Sequence, residues 1–130
     1  METDRPRDPE VSEVLIECRV NPSEDAEKVV AAIRNIFPDA VLDAEGERVS
    51  GRALDTVTFS EMVRKQRIRD AARAYMMKSV RSKGWIEFYL NKQAAFVGAV
   101  NFVREDVILG GIRVRILSTE PETMVKTLTA

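Results

Sequence analysis

Two apolar periods alternate along this chain of 130 residues, and their order constrains the fold more than any other feature. Residues 12–20, SEVLIECRV, alternate apolar and polar side chains, which predicts a half-buried strand. Residues 26–37 repeat apolar side chains at a spacing of three or four, which predicts a helix that ends at Pro38. A chain that carries both patterns buries its apolar faces by packing helices against a sheet.

A capping pattern predicts where the first helix starts. Asn21 can act as the N-cap, Pro22 suits the first helical position, and Glu24 completes a capping box. We therefore expect this helix to begin directly after the first strand.

The rest of the chain predicts seven further elements. Two short strands lie within residues 40–55, around a hairpin turn at Glu45-Gly46-Glu47. A long helix follows, capped by Thr58 or Ser60 and ending before Gly84. Then come strands at 85–91, 95–103 and 112–118, with a loop at Asp106–Gly111, and a C-terminal helix opened by Pro121. Residues 85–91 are apolar on both faces, which is typical of a central strand.

The predicted order of elements is β-α-β-β-α-β-β-β-α. This order lacks the regular βα repeat of a doubly wound fold, so we expect an α+β fold with a largely antiparallel sheet and helices packed on one face. The charged residues 1–11 predict a flexible leader and contain no apolar segment typical of a signal peptide. Residues 12–130 predict a single domain.

Cysteine usage predicts the cellular compartment. The single cysteine, Cys18, excludes an intramolecular disulfide and alternates with apolar neighbours, so we expect it to pack as a small apolar residue. No segment is apolar for long enough to span a bilayer. These features together predict a cytoplasmic protein.

The composition removes most catalytic chemistry. The chain has no histidine, which excludes the commonest general base, the usual zinc ligand and any Ser-His or Cys-His nucleophile pair. One cysteine cannot form a thiolate metal site, and no phosphate-binding loop occurs. We therefore expect a protein without catalytic activity, cofactor or metal. Scattered carboxylates in residues 1–60 keep a magnesium-dependent enzyme as a third hypothesis.

The net charge of −1 hides a strong asymmetry. Residues 1–60 carry 7 basic and 14 acidic side chains, whereas residues 61–92 carry 9 basic and 3 acidic ones. Charge segregated along a chain often becomes charge segregated on a surface, and a basic surface attracts polyanions. The sequence leaves open whether the acidic half folds against the basic segment and neutralises it.

The basic segment is concentrated in the predicted long helix. Its cations are Arg64, Lys65, Arg67, Arg69, Arg73, Lys78, Arg81 and Lys83. Arginine predominates, and its planar guanidinium suits phosphate oxygens, so such a helix can follow a nucleic-acid backbone. The alternative is a solvated helix face. In that case Glu61 would pair with Lys65 and Asp70 with Arg73, because these residues are spaced four and three apart.

A polar interruption follows the predicted central strand. In FYLNKQAAFVG, residues 88–98, three polar residues at Asn91–Gln93 separate two apolar runs. They predict either a turn, for which Asn91 is well suited, or a site in which two amides and one ammonium contact bases and phosphates. Tyr89 and Phe96 are candidates for base stacking if exposed, and core residues otherwise.

The segments RKQRIRDAARAYM, FYLNKQAAFVG and GGIRVRI resemble a family of small, uncharacterised archaeal proteins, and NPSEDAEKVVAAIRNIFPDA is similar to its first strand–helix passage. The resemblance spans roughly residues 12–128. The family is described as RNA-binding, with a fold like that of the large-subunit ribosomal protein that holds 5S rRNA. Some relatives are described as exosome-associated, and dimers are reported in the wider family. The resemblance supplies no catalytic residues.

We therefore predict a non-catalytic RNA-binding protein, associated with ribosomal RNA or RNA processing. The predicted RNA-binding residues are Arg64, Lys65, Arg67, Arg69, Arg73, Asn91, Lys92 and Gln93. Neutralising about five phosphates predicts a slope of roughly −3.5 to −4.5 for log K against log salt. The alternative is a protein–protein interaction module, such as a homodimer in which the basic helix meets acidic residues of a second copy.

Overall fold

A computed structural model describes residues 11–82, 84–104 and 110–130. The strands are β1 (Val11–Arg19), β2 (Val41–Glu45), β3 (Arg48–Ala53), β4 (Val80–Ser82), β5 (Trp85–Leu90), β6 (Phe102–Val103) and β7 (Ile112–Ser118). The helices are α1 (Ala26–Ile36), α2 (Val57–Lys65), α3 (Arg69–Met77), α4 (Lys92–Phe96) and α5 (Pro121–Leu128). The predicted leader lies outside the described residues except for Val11, and so does most of the predicted loop at Asp106–Gly111.

These seven strands form a single antiparallel sheet. Its order is β2-β3-β1-β7-β5-β4, and β6 also pairs with β5. β7 pairs with one edge of β5, and β4 and β6 both pair with its other edge. The expected α+β class with a largely antiparallel sheet is therefore confirmed, and β5 lies inside the sheet, as its apolar pattern predicted.

The core lies on one face of the sheet. Alternate residues of the strands are buried there, among them Ile16 of β1 and Val114 of β7, while their neighbours are only half buried. The ring of Phe59 in α2 stacks on Phe37 and Phe88, with ring centroids 6.0 and 5.7 Å apart. The prediction that the helices pack on one face is confirmed by this one-sided burial.

The first helix begins later than the capping pattern predicted. Asp25, not Asn21, is the N-cap of α1, and its carboxylate accepts a hydrogen bond from the Glu27 backbone N–H at 2.9 Å. Glu24 does accept the Asn21 N–H at 2.9 Å, as in a capping box, but this contact closes a turn before the helix. The predicted start was wrong because the same residues also form a local turn.

The predicted long helix is two helices and a strand. α2 ends at Lys65, α3 starts at Arg69, and the chain turns between them through Arg67, which has a positive φ of 59°. After α3 the chain extends into β4 instead of continuing to Gly84. A positive φ in a residue other than glycine has no clear signal in the sequence, so helical periodicity alone hid the break.

The cap predicted for this helix was also wrong. Thr56 occupies the N-cap position of α2, and the Val57 N–H donates to the Asp55 carboxylate at 2.8 Å. Ser60 lies within α2, and its hydroxyl donates to the Leu128 carbonyl at 3.0 Å. Ser60 therefore links α2 to the last turn of α5.

The strand predicted at residues 95–103 is mostly absent. Asn91 caps the short helix α4 by accepting the Ala94 N–H at 2.8 Å, and Gly98, with a φ of 75°, follows that helix. Only β6 remains of the predicted strand. By contrast, the hairpin turn with Gly46 at a φ of 60° and the helix opened by Pro121 are confirmed.

Candidate nucleic-acid interface

The turn between α2 and α3 gathers the arginines that the sequence singled out. Arg64 comes from the end of α2, Arg67 from the turn and Arg69 from the start of α3. All three are exposed, and they line one surface concavity of about 630 Å³ together with Ile68, Asp70 and Ala71. We call Arg64, Arg67 and Arg69 the turn cluster. Lys65, also exposed, lies beside it at the end of α2.

The backbone of Arg67 adopts a strained conformation. Its φ of 59° lies in the left-handed region, which costs an L-residue other than glycine about 1–2 kcal/mol. α2 ends before this residue. The Arg67 N–H donates to the Arg64 carbonyl at 3.1 Å, three residues back, whereas an α-helix would require the carbonyl four residues back. Side chains held in such conformations concentrate at functional sites. Arginine at this position therefore points to a use for its cationic side chain.

Within residues 11–82, 84–104 and 110–130, no acid forms an ion pair with a member of the turn cluster. Among the described residues, the ion pairs predicted for a solvated helix, Glu61 with Lys65 and Asp70 with Arg73, do not form within 4.0 Å. The cluster members form no ion pair in that part of the chain either. Asp70 is exposed in the same concavity and reduces its charge without closing it.

The acidic half of the chain is neutralised elsewhere. On the half-buried face of the sheet, Glu13 pairs with Arg52 at 3.0 Å, and Glu17 pairs with Arg48 and with Arg113. One described ion pair, between Glu24 and Lys92, joins the acidic half to the basic segment. Among the described residues, the acidic half of the chain therefore does not neutralise the turn cluster.

Arg73 has a structural partner. Its guanidinium donates to the Thr129 hydroxyl at 2.9 Å and to the Thr129 carbonyl at 3.0 Å. These bonds hold the end of α5 against α3. Arg73 is half buried, so its predicted contact with RNA would compete with this role.

Gln66, which lies within the turn between α2 and α3, fixes this turn to a distant part of the chain. Its amide donates to the Val100 carbonyl at 2.9 Å and accepts the Val100 N–H at 2.7 Å. These two hydrogen bonds join the turn to the segment that follows α4. Sequence patterns did not predict this role of Gln66, because a side chain that bonds to a distant backbone leaves no local pattern.

The three polar residues after β5 have separate roles. Asn91 is the cap of α4, which confirms the turn interpretation for that residue, and Gln93 is exposed. Lys92 is 3 % exposed, and its ammonium lies 2.8 Å from Glu24 Oε1 and 2.9 Å from the Arg19 carbonyl. The predicted contact between Lys92 and RNA needs correction, because the side chain is buried and its charge already paired.

The surroundings of Glu24 favour its ionised form. Burial alone would raise the pKa of this carboxyl, but the hydrogen bond from the Asn21 N–H and the contacts with Lys92 outweigh burial and lower the pKa. Glu24 is therefore ionised at neutral pH.

Neither aromatic candidate near this segment is fully exposed. Tyr89 and Phe96 are half buried, and Phe96 packs against the core. The described residues contain no group of three or more Asp, Glu or Cys placed to hold a metal ion. Nor is any helix in the described ranges long and apolar enough to cross a membrane.

An α+β fold with an arginine cluster that forms no ion pair in the described part of the chain defines a small protein with a surface suited to polyanions. A sequence model of a protein family described as RNA binding matches residues 13–118. A UPF0201 protein of Methanocaldococcus jannaschii is 44% identical over 119 residues, which cover 88% of this chain and 68% of that protein. The chain belongs to this archaeal UPF0201 family.

Two further relatives show the extent of the likeness. A UPF0200/UPF0201 protein of Archaeoglobus fulgidus is 45% identical over 104 residues, but the match spans only 32% of that longer protein. A crystal structure of a UPF0201 protein from Methanococcus jannaschii has a TM-score of 0.83 at 38% identity and covers 92% of this chain and 100% of that one.

A more distant crystal structure, of an Archaeoglobus fulgidus DUF54 protein, has a TM-score of 0.72 at 16% identity and shares the fold alone. It covers 93% of this chain and 99% of that one. The likeness to the ribosomal protein that holds 5S rRNA stays a prediction, because these neighbours are UPF0201 and DUF54 proteins.

Proposed function

We propose that this protein binds RNA without catalysing a reaction on it, and that the turn cluster is the main phosphate-binding surface. The observation that carries the proposal is the convergence of Arg64, Arg67 and Arg69 on one concavity without an ion pair among the described residues. Guanidinium groups bind phosphate oxygens in a bidentate manner. The match to a family described as RNA binding supports the same conclusion.

The contacts assigned from the sequence divide into two groups. Arg64, Lys65, Arg67, Arg69 and Gln93 have exposed side chains and remain in the proposed interface. Arg73, Asn91 and Lys92 bond within the protein and shape the interface instead of lining it.

Purification from native cells, with and without nuclease treatment, tests the proposal. We expect RNA to accompany the protein and to leave at moderate salt, and sequencing that RNA shows whether it is ribosomal or an RNA-processing substrate. A variant with Arg64, Arg67 and Arg69 all changed to Ala should lose the RNA. Wild-type protein that is free of RNA in both preparations contradicts the proposal.

A homodimer is the second candidate, and the edge of the sheet favours it. β2 is an edge strand, its Val41 is 74% exposed, and its acidic residues Asp43 and Glu45 are exposed as well. The basic turn of a second copy could meet these acids. This candidate predicts a mass that rises with protein concentration and falls when the turn cluster is replaced by Ala, with no affinity for RNA.

A further inference from the structure

One face of α3 connects the turn cluster to a second basic region. Ile68, Ala71, Tyr75 and Lys78 follow one another at spacings of three, four and three, so they form one stripe along the helix. At 1.5 Å per residue the stripe is about 15 Å long. Ile68 and Ala71 line the concavity of the turn cluster, and Tyr75 and Lys78 line a different one.

A third concavity joins these two. Its volume is about 520 Å³, and it shares Ile68 and Ala71 with the first concavity and Tyr75 with the second. Ala94 and Phe102 line its opposite wall. The three concavities therefore adjoin one another along α3, and we call them together the trough.

The middle of the trough is apolar and contains aromatic rings. Tyr75 and Phe102 stack with ring centroids 4.6 Å apart, and the Tyr75 hydroxyl donates to the Val103 carbonyl at 2.6 Å. Phe102 also contacts the buried rings of Phe59 and Phe88 edge-on. The two rings are thus held in place by the core, which makes them a rigid platform.

The far end of the trough is a notch in the edge of the sheet. β4 pairs with β5 at Trp85 and Ile86, whereas β6 pairs with it at Tyr89 and Leu90, so the two short strands leave Glu87 and Phe88 between them. The concavity here has a volume of about 420 Å³.

Three cations, Lys78, Arg81 and Arg104, line this notch, and Lys78 and Arg81 are exposed. Glu87 is the acid in the notch, and its carboxylate lies 3.2 Å from the Arg113 guanidinium. Its charge is therefore partly balanced by Arg113, which also pairs with Glu17. Lys78 and Arg81 form no ion pair with another described residue, so the notch keeps a positive charge.

We propose that this trough holds a single strand of RNA. Phosphates lie at the turn cluster and at Lys78 and Arg81, and bases lie over Tyr75 and Phe102 between them. The length of about 15 Å suits a short run of nucleotides. The inference rests on the proposed function and adds a ligand class and a second phosphate site.

The apolar middle favours a single strand over a duplex. A duplex keeps its bases stacked inside and presents ribose and phosphate, so it would gain nothing from aromatic rings. Unpaired bases expose their faces, and stacking on aromatic side chains is how sequence-tolerant single-strand binding works.

Fluorescence anisotropy with the full chain tests the inference, using labelled decauridylate and a labelled ten-base-pair RNA duplex. We expect the double variant Lys78→Ala/Arg81→Ala to bind decauridylate about tenfold more weakly, with a salt slope smaller by about 1.4, and the duplex less than twofold more weakly. The control is Arg48→Ala/Arg52→Ala, which removes two exposed cations from β3 and should change neither affinity.

Several outcomes overturn the inference. One is decauridylate affinity equal in the two double variants, and another is an equal loss for decauridylate and duplex. Displacement of the RNA by poly-glutamate, at matched charge and with the same dependence on Lys78 and Arg81, would assign the trough to an acidic protein. If wild-type protein binds neither RNA, the proposed function itself fails, and the inference fails with it.

A measurement on the wild-type protein covers the case of a variant that does not fold. Decauridylate containing 4-thiouridine should cross-link to peptides that contain Tyr75 or Phe102. Cross-links confined to other peptides contradict the path along α3.

Discussion

Lys92 Nζ lies 2.8 Å from Glu24 Oε1, and this contact joins the start of α4 to the turn before α1. The lysine side chain is 3 % exposed and the glutamate side chain 15 %. The ammonium also donates to the Arg19 carbonyl at 2.9 Å. Lys92, which the sequence predicted to contact RNA, instead stabilises the start of α4 from within the protein. Ala94 of this helix lines the middle concavity of the trough.

Replacing Glu24 with Gln should destabilise the fold, because the buried Lys92 charge then lacks its partner. Removing one member of a buried ion pair costs about 3–5 kcal/mol. Urea unfolding at pH 7 measures the loss. The double variant Glu24→Gln/Lys92→Met should be more stable than the sum of the single changes implies, and strict additivity would contradict the coupling.

The same pair predicts a pH dependence. Because the pKa of Glu24 is lowered below its ordinary value of 4.5, its ionised form stabilises the native state above that pH. The contribution is lost as the pH falls through the lower, folded-state pKa. The stability difference between wild type and Glu24→Gln should therefore shrink below about pH 4.5, and a difference that stays constant into acid would count against the assignment.

Cys18 should be unreactive in the native protein. Burial raises the pKa of its thiol from 9.0 to about 11, and the thiolate is the nucleophilic form. Iodoacetamide at pH 8 should label the thiol in urea and leave it intact in buffer. Stability should also fall as the pH rises from 9 to 11, because the unfolded thiol ionises first. Labelling of the folded protein at the unfolded rate would contradict this account.

Arg67 should separate stability from binding. Glycine adopts a positive φ without the penalty that arginine incurs, so Arg67→Gly should stabilise the protein by up to about 1 kcal/mol while weakening RNA binding. Arg67→Ala is the matched control, since it removes the cation and keeps the strain. Thermal unfolding and anisotropy measure the two effects, and wild-type RNA affinity in Arg67→Gly would exclude Arg67 from the interface.

Gln66 should hold the turn in place. Gln66→Ala removes both hydrogen bonds to the Val100 backbone and should cost about 1–3 kcal/mol. Hydrogen exchange at the Val100 amide should become faster by a corresponding factor. Gln93→Ala is the control, because that exposed amide should contribute less than about 0.5 kcal/mol. Equal stability losses would show that the clamp contributes nothing.

Apolar periodicity and turn-forming residues correctly predicted several elements of the fold. β1, β7, the hairpin at Gly46 and the helix opened by Pro121 all follow from local patterns. The break at Arg67 does not, because no local pattern marks a positive φ at an arginine, and the turn is also bonded through Gln66 to Val100, 34 residues away in sequence.

The same limit applies to the candidate site. A run of cations indicated a basic surface, but side-chain partners decide which cations remain available. Thr129 and Glu24 remove Arg73 and Lys92 from that surface, and both lie far away in the sequence. The notch that contains Lys78 and Arg81 depends on two strands sharing one edge of β5, which no local pattern predicts.

The salt dependence of RNA affinity tests the central claim most directly. Anisotropy between about 50 and 300 mM KCl should give wild type a negative slope of log K against log salt. Changing Arg64, Arg67 and Arg69 to Ala should reduce the size of that slope by about 2 to 3, since three phosphate contacts are lost. Arg48→Ala/Arg52→Ala should leave the slope unchanged. Equal slopes for wild type and the triple variant would contradict the claim that the turn cluster binds RNA.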